Sequence, residues 1–298
     1  MSIIIELGSV KSLTEPRPAD FTSNQGFNIY WQQAGINPDE VARAISDGNS
    51  AGFEGARELA ASVTTAAQDA GWSDILNILG RVSSVSLEQL LIRHLPEQVE
   101  TDAEVFFVPG ACRPVVFQGK QLAINVFSLE QRKRKLFVED TPLLSLLCHF
   151  VHRICTQKFA KQAGNSREQV VSSFLSKLFL EGAATLFFTL PTSGVVSQQW
   201  AAAEKRREHD FAKLREKCKD ESSNPEQLRA DLERQFALTA ASALTARYPI
   251  GTYMCQVIES AFGRNHLVQL LSQPSRFAEE YEQARKKFAL PDKYSLDL

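Results

Sequence analysis

Cys148, His149 and His152 stand within five consecutive residues, and Glu181 follows about thirty residues later. On an α-helix, residues i and i+4 lie one above the other on a single face. Cys148 and His152 form such a pair, and His149 borders His152 from one turn before it. Thiolate sulfur, imidazole nitrogen and carboxylate oxygen are all zinc ligands. Two of Cys148, His149 and His152 could therefore reach one ion from one helix. Glu181 would be a third protein ligand, with a position left for water. A mixed set of this kind leaves the metal less defined than a uniform one. Paired core histidines, with Glu181 held by His152, Arg153 or Lys177, are the structural alternative.

The elements that must carry these residues are well marked. Asp140-Thr141-Pro142 supplies a cap and a proline for the first helical position. Leu143, Leu144, Leu146, Leu147, Phe150, Val151 and Ile154 then make the helix apolar nearly all round, as in a core helix. A second helix starts at Ser166 with Gln169 placed for a capping box. It runs through Phe174, Leu178 and Phe179 to Phe188 and Leu190, and Pro191 stops it. Glu181 is thus a carboxylate inside an apolar helix and must be satisfied there, because burying it unpaired costs several kcal/mol. Cys155 reads as a small buried hydrophobe.

Before the first helix, residues 104–108 read as a strand. Segments 114–117 and 122–127 read as two more around the turn Gln118-Gly119-Lys120. After the second helix comes a helical hairpin. Its first arm covers about 198–220, its turn is Ser222-Ser223-Asn224-Pro225, and its second arm carries Leu228, Leu232 and Phe236. The charges on the first arm are mixed in sign, as on a solvated face. A helix then opens at Tyr248-Pro249 and ends at Gly263, with shorter helices over 265–271 and from Ser275.

Taken together, these elements resemble the bacterial predicted zinc-dependent proteases of the gluzincin type. The resemblance covers roughly residues 100–290. It rests on the strand and hairpin, on a helix in the H-E-x-x-H place, on Glu181-Gly182-x-Ala184, and on Tyr248, Gly251, Met254, Ile258, Glu259, Gly263 and Leu267. In that family the first helix carries two zinc histidines and a general-base glutamate. Only His152 matches a ligand outright. Cys148 stands in the place of the other histidine, and His149 in the place of the glutamate. The resemblance implies an α+β, mainly α, metallopeptidase fold with a small antiparallel sheet or hairpin before the active-site helix.

It also implies zinc as the cofactor, held by Cys148, His149, His152 and Glu181. Such a site acidifies a water and polarises a carbonyl. A side chain beside the metal takes the proton. His149 is the residue present at that position, and imidazole titrates near neutrality. Tyr248 and Tyr253 are candidates to supply a phenol to a developing oxyanion. Packed rings with hydrogen-bonded hydroxyls are the alternative for both. Strand 122–127 is expected to form the cleft edge, where an extended peptide pairs. The function expected is that of a divergent zinc-metallopeptidase-like protein with an altered or lost site. An active Cys/His/Glu hydrolase and a peptide- or protein-binding scaffold are the alternatives.

Composition bounds the rest. The 298 residues carry a net charge near −2, which gives no field to hold nucleic acid. The longest apolar run, near 170–190, is interrupted by Lys177 and Glu181, so no membrane span is expected. Met1-Ser2-Ile3-Ile4-Ile5-Glu6 lacks the pattern of a secretory signal and reads as a short strand. Five cysteines without C-x-x-C suggest reduced thiols in a cytoplasm, with Cys112, Cys218 and Cys255 structural. Residues 1–100 read as a helical N-terminal region, with helices starting near Asn37 and Ser50 and over 72–79 and 87–95. His94 stands alone there. Residues 101–298 read as the peptidase-like domain, with the helical hairpin inserted at about 198–246.

Overall fold

The computed structural model describes residues 2–7, 23–47, 54, 56–58, 60–61, 71–99, 102–109, 115–126, 140–160, 164–190, 194–220, 222–237 and 248–296. The readings placed on Ser50, Cys112, Pro191 and segment 238–246 lie outside the described residues. The chain divides into two compact units, one of residues 1–90 and 100–150, the other of residues 91–99 and 151–298.

The first unit is built on a four-stranded mixed sheet. Strand β1 is Ser2–Glu6. Helices α1 (Gln25–Ala34), α2 (Pro38–Asp47), α3 (Gly71–Gly80) and α4 (Ser84–Leu91) precede strands β2 (Asp102–Val108), β3 (Val115–Gln118) and β4 (Gln121–Asn125). The spatial order is β1-β2-β4-β3. β1 and β4 both run parallel to β2, and only the β3–β4 pair is antiparallel. The hairpin expected here is the antiparallel β3–β4 pair, while the sheet that holds it is mixed and not antiparallel. β4 also lies between two partners, so it is not the free edge expected of it. The apolar run from Val105 to Val108 is continuous because a strand with parallel neighbours is buried on both faces.

The tight turn between β3 and β4 contains Gly119 at φ +59°, a left-handed conformation that glycine adopts without strain. α1 lies on β2, β3 and β4. Asn24 caps it by accepting from the Gly26 and Phe27 amides. Gly26 packs so close to Phe106 that a Cβ would fall 2.6 Å from the Phe106 Cβ. Gln33 Nε2 donates to the Phe117 carbonyl at 2.9 Å, tying this helix to the outer strand.

Helix α5 (Asp140–Thr156) carries the cysteine–histidine run. Its side chains from Leu146 through His152 are buried, apolar and polar alike.

The second unit is helical. Its long helices are α6 (Arg167–Ala184), α7 (Gly194–Lys219), α8 (Pro225–Phe236) and α9 (Pro249–Phe262), followed by α10 (Arg264–Leu270) and α11 (Phe277–Lys287). α6 starts at the Ser166/Gln169 capping box and ends in a π-helical turn over Thr185–Thr189. α7 and α8 form the expected hairpin, with Asn224 accepting from the Gln227 amide at 2.8 Å and Pro225 at the first helical position. The segment Arg167–Thr189 is long and apolar enough to cross a bilayer by length and composition, but 61% of its most apolar window is buried inside the protein.

α6 and α9 are the central crossing of this unit. A Cβ on Gly182 would lie 2.5 Å from the Gly251 carbonyl carbon, and one on Gly251 would lie 2.1 Å from the Leu178 carbonyl oxygen. The two backbones touch where both helices lack side chains. Around this contact pack Phe179, Met254, Ile258, Phe277 and Tyr281. Phe179 stacks on Phe277 at 4.5 Å between ring centres.

Candidate functional site

In the first unit, α5 presents Cys148 and His149, both fully buried. Burial pushes the Cys148 thiol up to about 12, so it holds its proton at neutral pH. A thiolate ligand would first have to lose that proton. The His149 ring meets the Phe150 ring edge-on at 6.1 Å.

In the second unit, the last turns of α5 carry His152, Arg153 and Cys155. His152 is fully buried. Its Nε2 lies 3.2 Å from the His94 carbonyl oxygen. A carbonyl only accepts, so Nε2 carries the hydrogen and is committed to that bond. The same ring meets Phe187 and Phe188 edge-on, each at 5.7 Å.

Glu181 is only 5% exposed in the last turn of α6, where the helix runs on into its π-helical turn. Its Oε1 lies 3.1 Å from the Arg153 Nε. Of the side chains that sequence offered as its partner, Arg153 is the one that forms the ion pair. Lys177 instead pairs with Glu233 at 2.6 Å.

Tyr248 and Tyr253, five residues apart at the start of α9, face different neighbours. The Tyr248 hydroxyl donates to Glu233 Oε2 at 2.6 Å. Tyr248 is fully buried, and burial, followed by the Glu233 carboxylate, raises its phenol far above the usual range. Its hydrogen is already given to a carboxylate and is not aimed at an open space. Tyr253 lies under the Arg207 guanidinium, 3.9 Å from the ring centre, and meets the Phe211 ring at 6.0 Å. It lines a small pocket with Trp200, Ala203 and Ile250.

His94 is the residue that sequence reasoning missed. Its ring stacks on Phe187 at 4.7 Å and meets Phe188 edge-on at 5.1 Å. Arg264 Nη1 lies 3.5 Å from its Nδ1. Burial first, then Arg264 and Arg93, lower its pKa to about 4, so the ring is neutral at pH 7. No local signal marks it, because its partners lie 58 to 170 residues away.

Among the described residues, no group of three His, Cys, Asp or Glu side chains gathers as a metal-holding set. The Glu181 oxygen is on a guanidinium and the His152 Nε2 hydrogen is on a carbonyl. The set as arranged can neutralise a buried carboxylate and orient an imidazole.

A family model described as "Putative zinc dependent peptidase (DUF5700)" matches residues 67–289. No curated protein and no solved structure matches the chain.

Proposed function

Because the chain belongs to this zinc-dependent-peptidase-like family, we propose that it is a divergent member of gluzincin type whose catalytic site is altered and whose peptidase activity is weak or lost. The observation that carries the reading is the Arg153–Glu181 ion pair. The carboxylate at the family's third ligand position already has its cation. Two further features support it. The general-base position is His149 and the first ligand position is Cys148. A carboxylate base beside the metal is worth roughly 10²–10⁴ in rate, and an imidazole ring does not reach the same place.

The partner under this reading is a peptide or protein that the chain binds without cutting. A net charge near −2 gives no support to a nucleic-acid partner. The burial of most of the apolar window in Arg167–Thr189 supports a core helix over a membrane span. The four described cysteines, Cys148, Cys155, Cys218 and Cys255, are buried, which supports reduced thiols in a cytoplasmic setting.

The test is a cleavage assay on an unstructured fluorogenic peptide with protein purified without chelator. The parent chain is expected to leave the peptide whole, with or without added zinc. The paired substitution Cys148→His with His149→Glu restores H-E-x-x-H and should raise cleavage above the parent. Efficient cleavage by the parent that Glu181→Ala abolishes would show that the altered motif works as it stands.

A further inference from the structure

We infer that Arg153 is the resident counter-cation of Glu181, doing for this carboxylate what a bound metal would do, so that the second unit holds its core without a metal ion. The inference rests on the reading above and adds a role for a residue outside the family's motif. The physical need is plain. Glu181 sits on a helix whose neighbours from Leu178 to Ala184 are all buried. Taking a carboxylate out of water costs several kcal/mol unless a cation and hydrogen bonds compensate. In a metal site the ion would compensate. Here a guanidinium nitrogen lies at 3.1 Å, and the Arg153 side chain stays 37% exposed. It reaches from solvent to the buried oxygen, as a long cationic side chain can.

The neighbouring charges do not replace it. Lys177 lies one turn before Glu181 on α6, but its ammonium is on Glu233, which also accepts the Tyr248 hydroxyl. Charges around Glu181 therefore alternate. Arg153 from α5 answers Glu181, Lys177 answers Glu233 from α8, and the Tyr248 hydroxyl at the head of α9 donates to Glu233 while also feeling the charge of Glu181. Adding a divalent ion would leave one cation in excess. Removing Arg153 would leave a buried carboxylate short of one.

The experiment is a double-mutant cycle on the full chain, read by thermal unfolding with EDTA and with zinc chloride. The parent is expected to unfold at the same temperature in both, within about 2 °C, given the few degrees expected per kcal/mol. Arg153→Gln should lower that temperature by roughly 5–10 °C, the shift expected for breaking a buried pair from its partly exposed side. Arg153→Lys should recover part of that loss, because it keeps the cation while losing the planar guanidinium. Arg153→Gln with Glu181→Gln should recover much of it, because the stranded charge is gone.

Additive losses in the cycle would overturn the inference. So would a double variant that fails to fold along with the single one, or a parent that carries zinc and melts lower in EDTA. A parent that holds zinc but cleaves nothing would sink this inference and leave the loss of catalysis standing. A parent that cleaves peptide equally well in EDTA would do the reverse.

Discussion

Substituting Gly251 by alanine tests the helix crossing on which the second unit is built. The new Cβ would lie 2.1 Å from the Leu178 carbonyl oxygen and 3.0 Å from its carbonyl carbon. Ordinary contact begins near 3.4 Å, so the overlap exceeds 1 Å. The atom it meets is backbone. In a regular helix that carbonyl accepts from the amide of residue 182, so moving it disturbs α6 itself. Alanine favours the helix over glycine by about 1 kcal/mol. Forcing extra volume into a packed core costs roughly 1–3 kcal/mol, and more where backbone must shift. With backbone as the atom met, the steric cost sits at the upper end of that range and should win by about 2 kcal/mol. For a domain of this size that lowers the unfolding temperature by roughly 3–10 °C.

The assay is loss of helical ellipticity on heating, repeated with urea. Gly182→Ala should behave alike, since its Cβ would lie 2.5 Å from the Gly251 carbonyl carbon and 2.8 Å from the Thr252 amide nitrogen. The two losses should not add, because both act on one contact. Gly80 is the control. It ends α3, and a Cβ there would meet nothing within 4 Å, so Gly80→Ala should be neutral or stabilising by up to about 1 kcal/mol. If Gly251→Ala melts at or above the parent, the two backbones are not in contact and these glycines have another role.

Two further outcomes follow from the titrating groups. With its thiol at about 12, Cys148 should resist alkylation in the folded chain at pH 8, where about 10⁻⁴ of it is thiolate. The protonated thiol favours the fold, so its contribution is present below pH 9 and is lost as pH rises toward 12. Labelling read by mass spectrometry, native against urea-unfolded, checks this, and fast native labelling would refute the burial. His94 has the opposite sign. Its folded pKa is lowered from 6.5 to about 4, so its contribution is present above 6.5 and is lost as pH falls between those values. The ring is about half-buried, which discounts the effect to about 1 kcal/mol. His94→Gln should flatten stability against pH in that window while also losing the stacking on Phe187.

Local signals carried much of the fold into the sequence. The Ser166/Gln169 box, the Asn224-Pro225 start, the glycine of the β3–β4 turn and the stop at Gly263 are each set by residues a few positions apart. Strand order was not legible. β1 and β2 pair across about a hundred residues, and nothing in Gln121–Asn125 says that a parallel neighbour covers its second edge. Helix α1 was missed for a related reason. Its apolar residues Phe27, Ile29, Tyr30 and Trp31 crowd together and are buried under the sheet contact, so no clean one-faced stripe appears. At the candidate site, sequence showed that Glu181 needs a partner and limited the choice. It could not choose among Arg153, Lys177, a histidine and a metal, because each is compatible with helical spacing.

The residues by which the chain resembles its family separate by what they do here. Gly182 and Gly251 let two helices touch, and Ala184, Met254, Ile258 and Leu267 are buried in the core. Gly263 ends α9 at φ +90°, a conformation in which a side chain would be strained. Tyr248 gives its hydroxyl to Glu233 and its ring to Phe174. Each of these has a packing reason that is independent of any metal. Cys148 and His149 depart from the motif, and both are buried without disturbing the apolar helix around them. Packing constraints act through backbone overlap and buried volume, where one carbon can cost several kcal/mol. A metal site acts through a few side-chain atoms, and a buried carboxylate that loses its ion can be neutralised by one guanidinium from a neighbouring helix. A chain can therefore lose the chemistry of such a frame by changes on one turn of helix while every contact that defines the crossing stays in place.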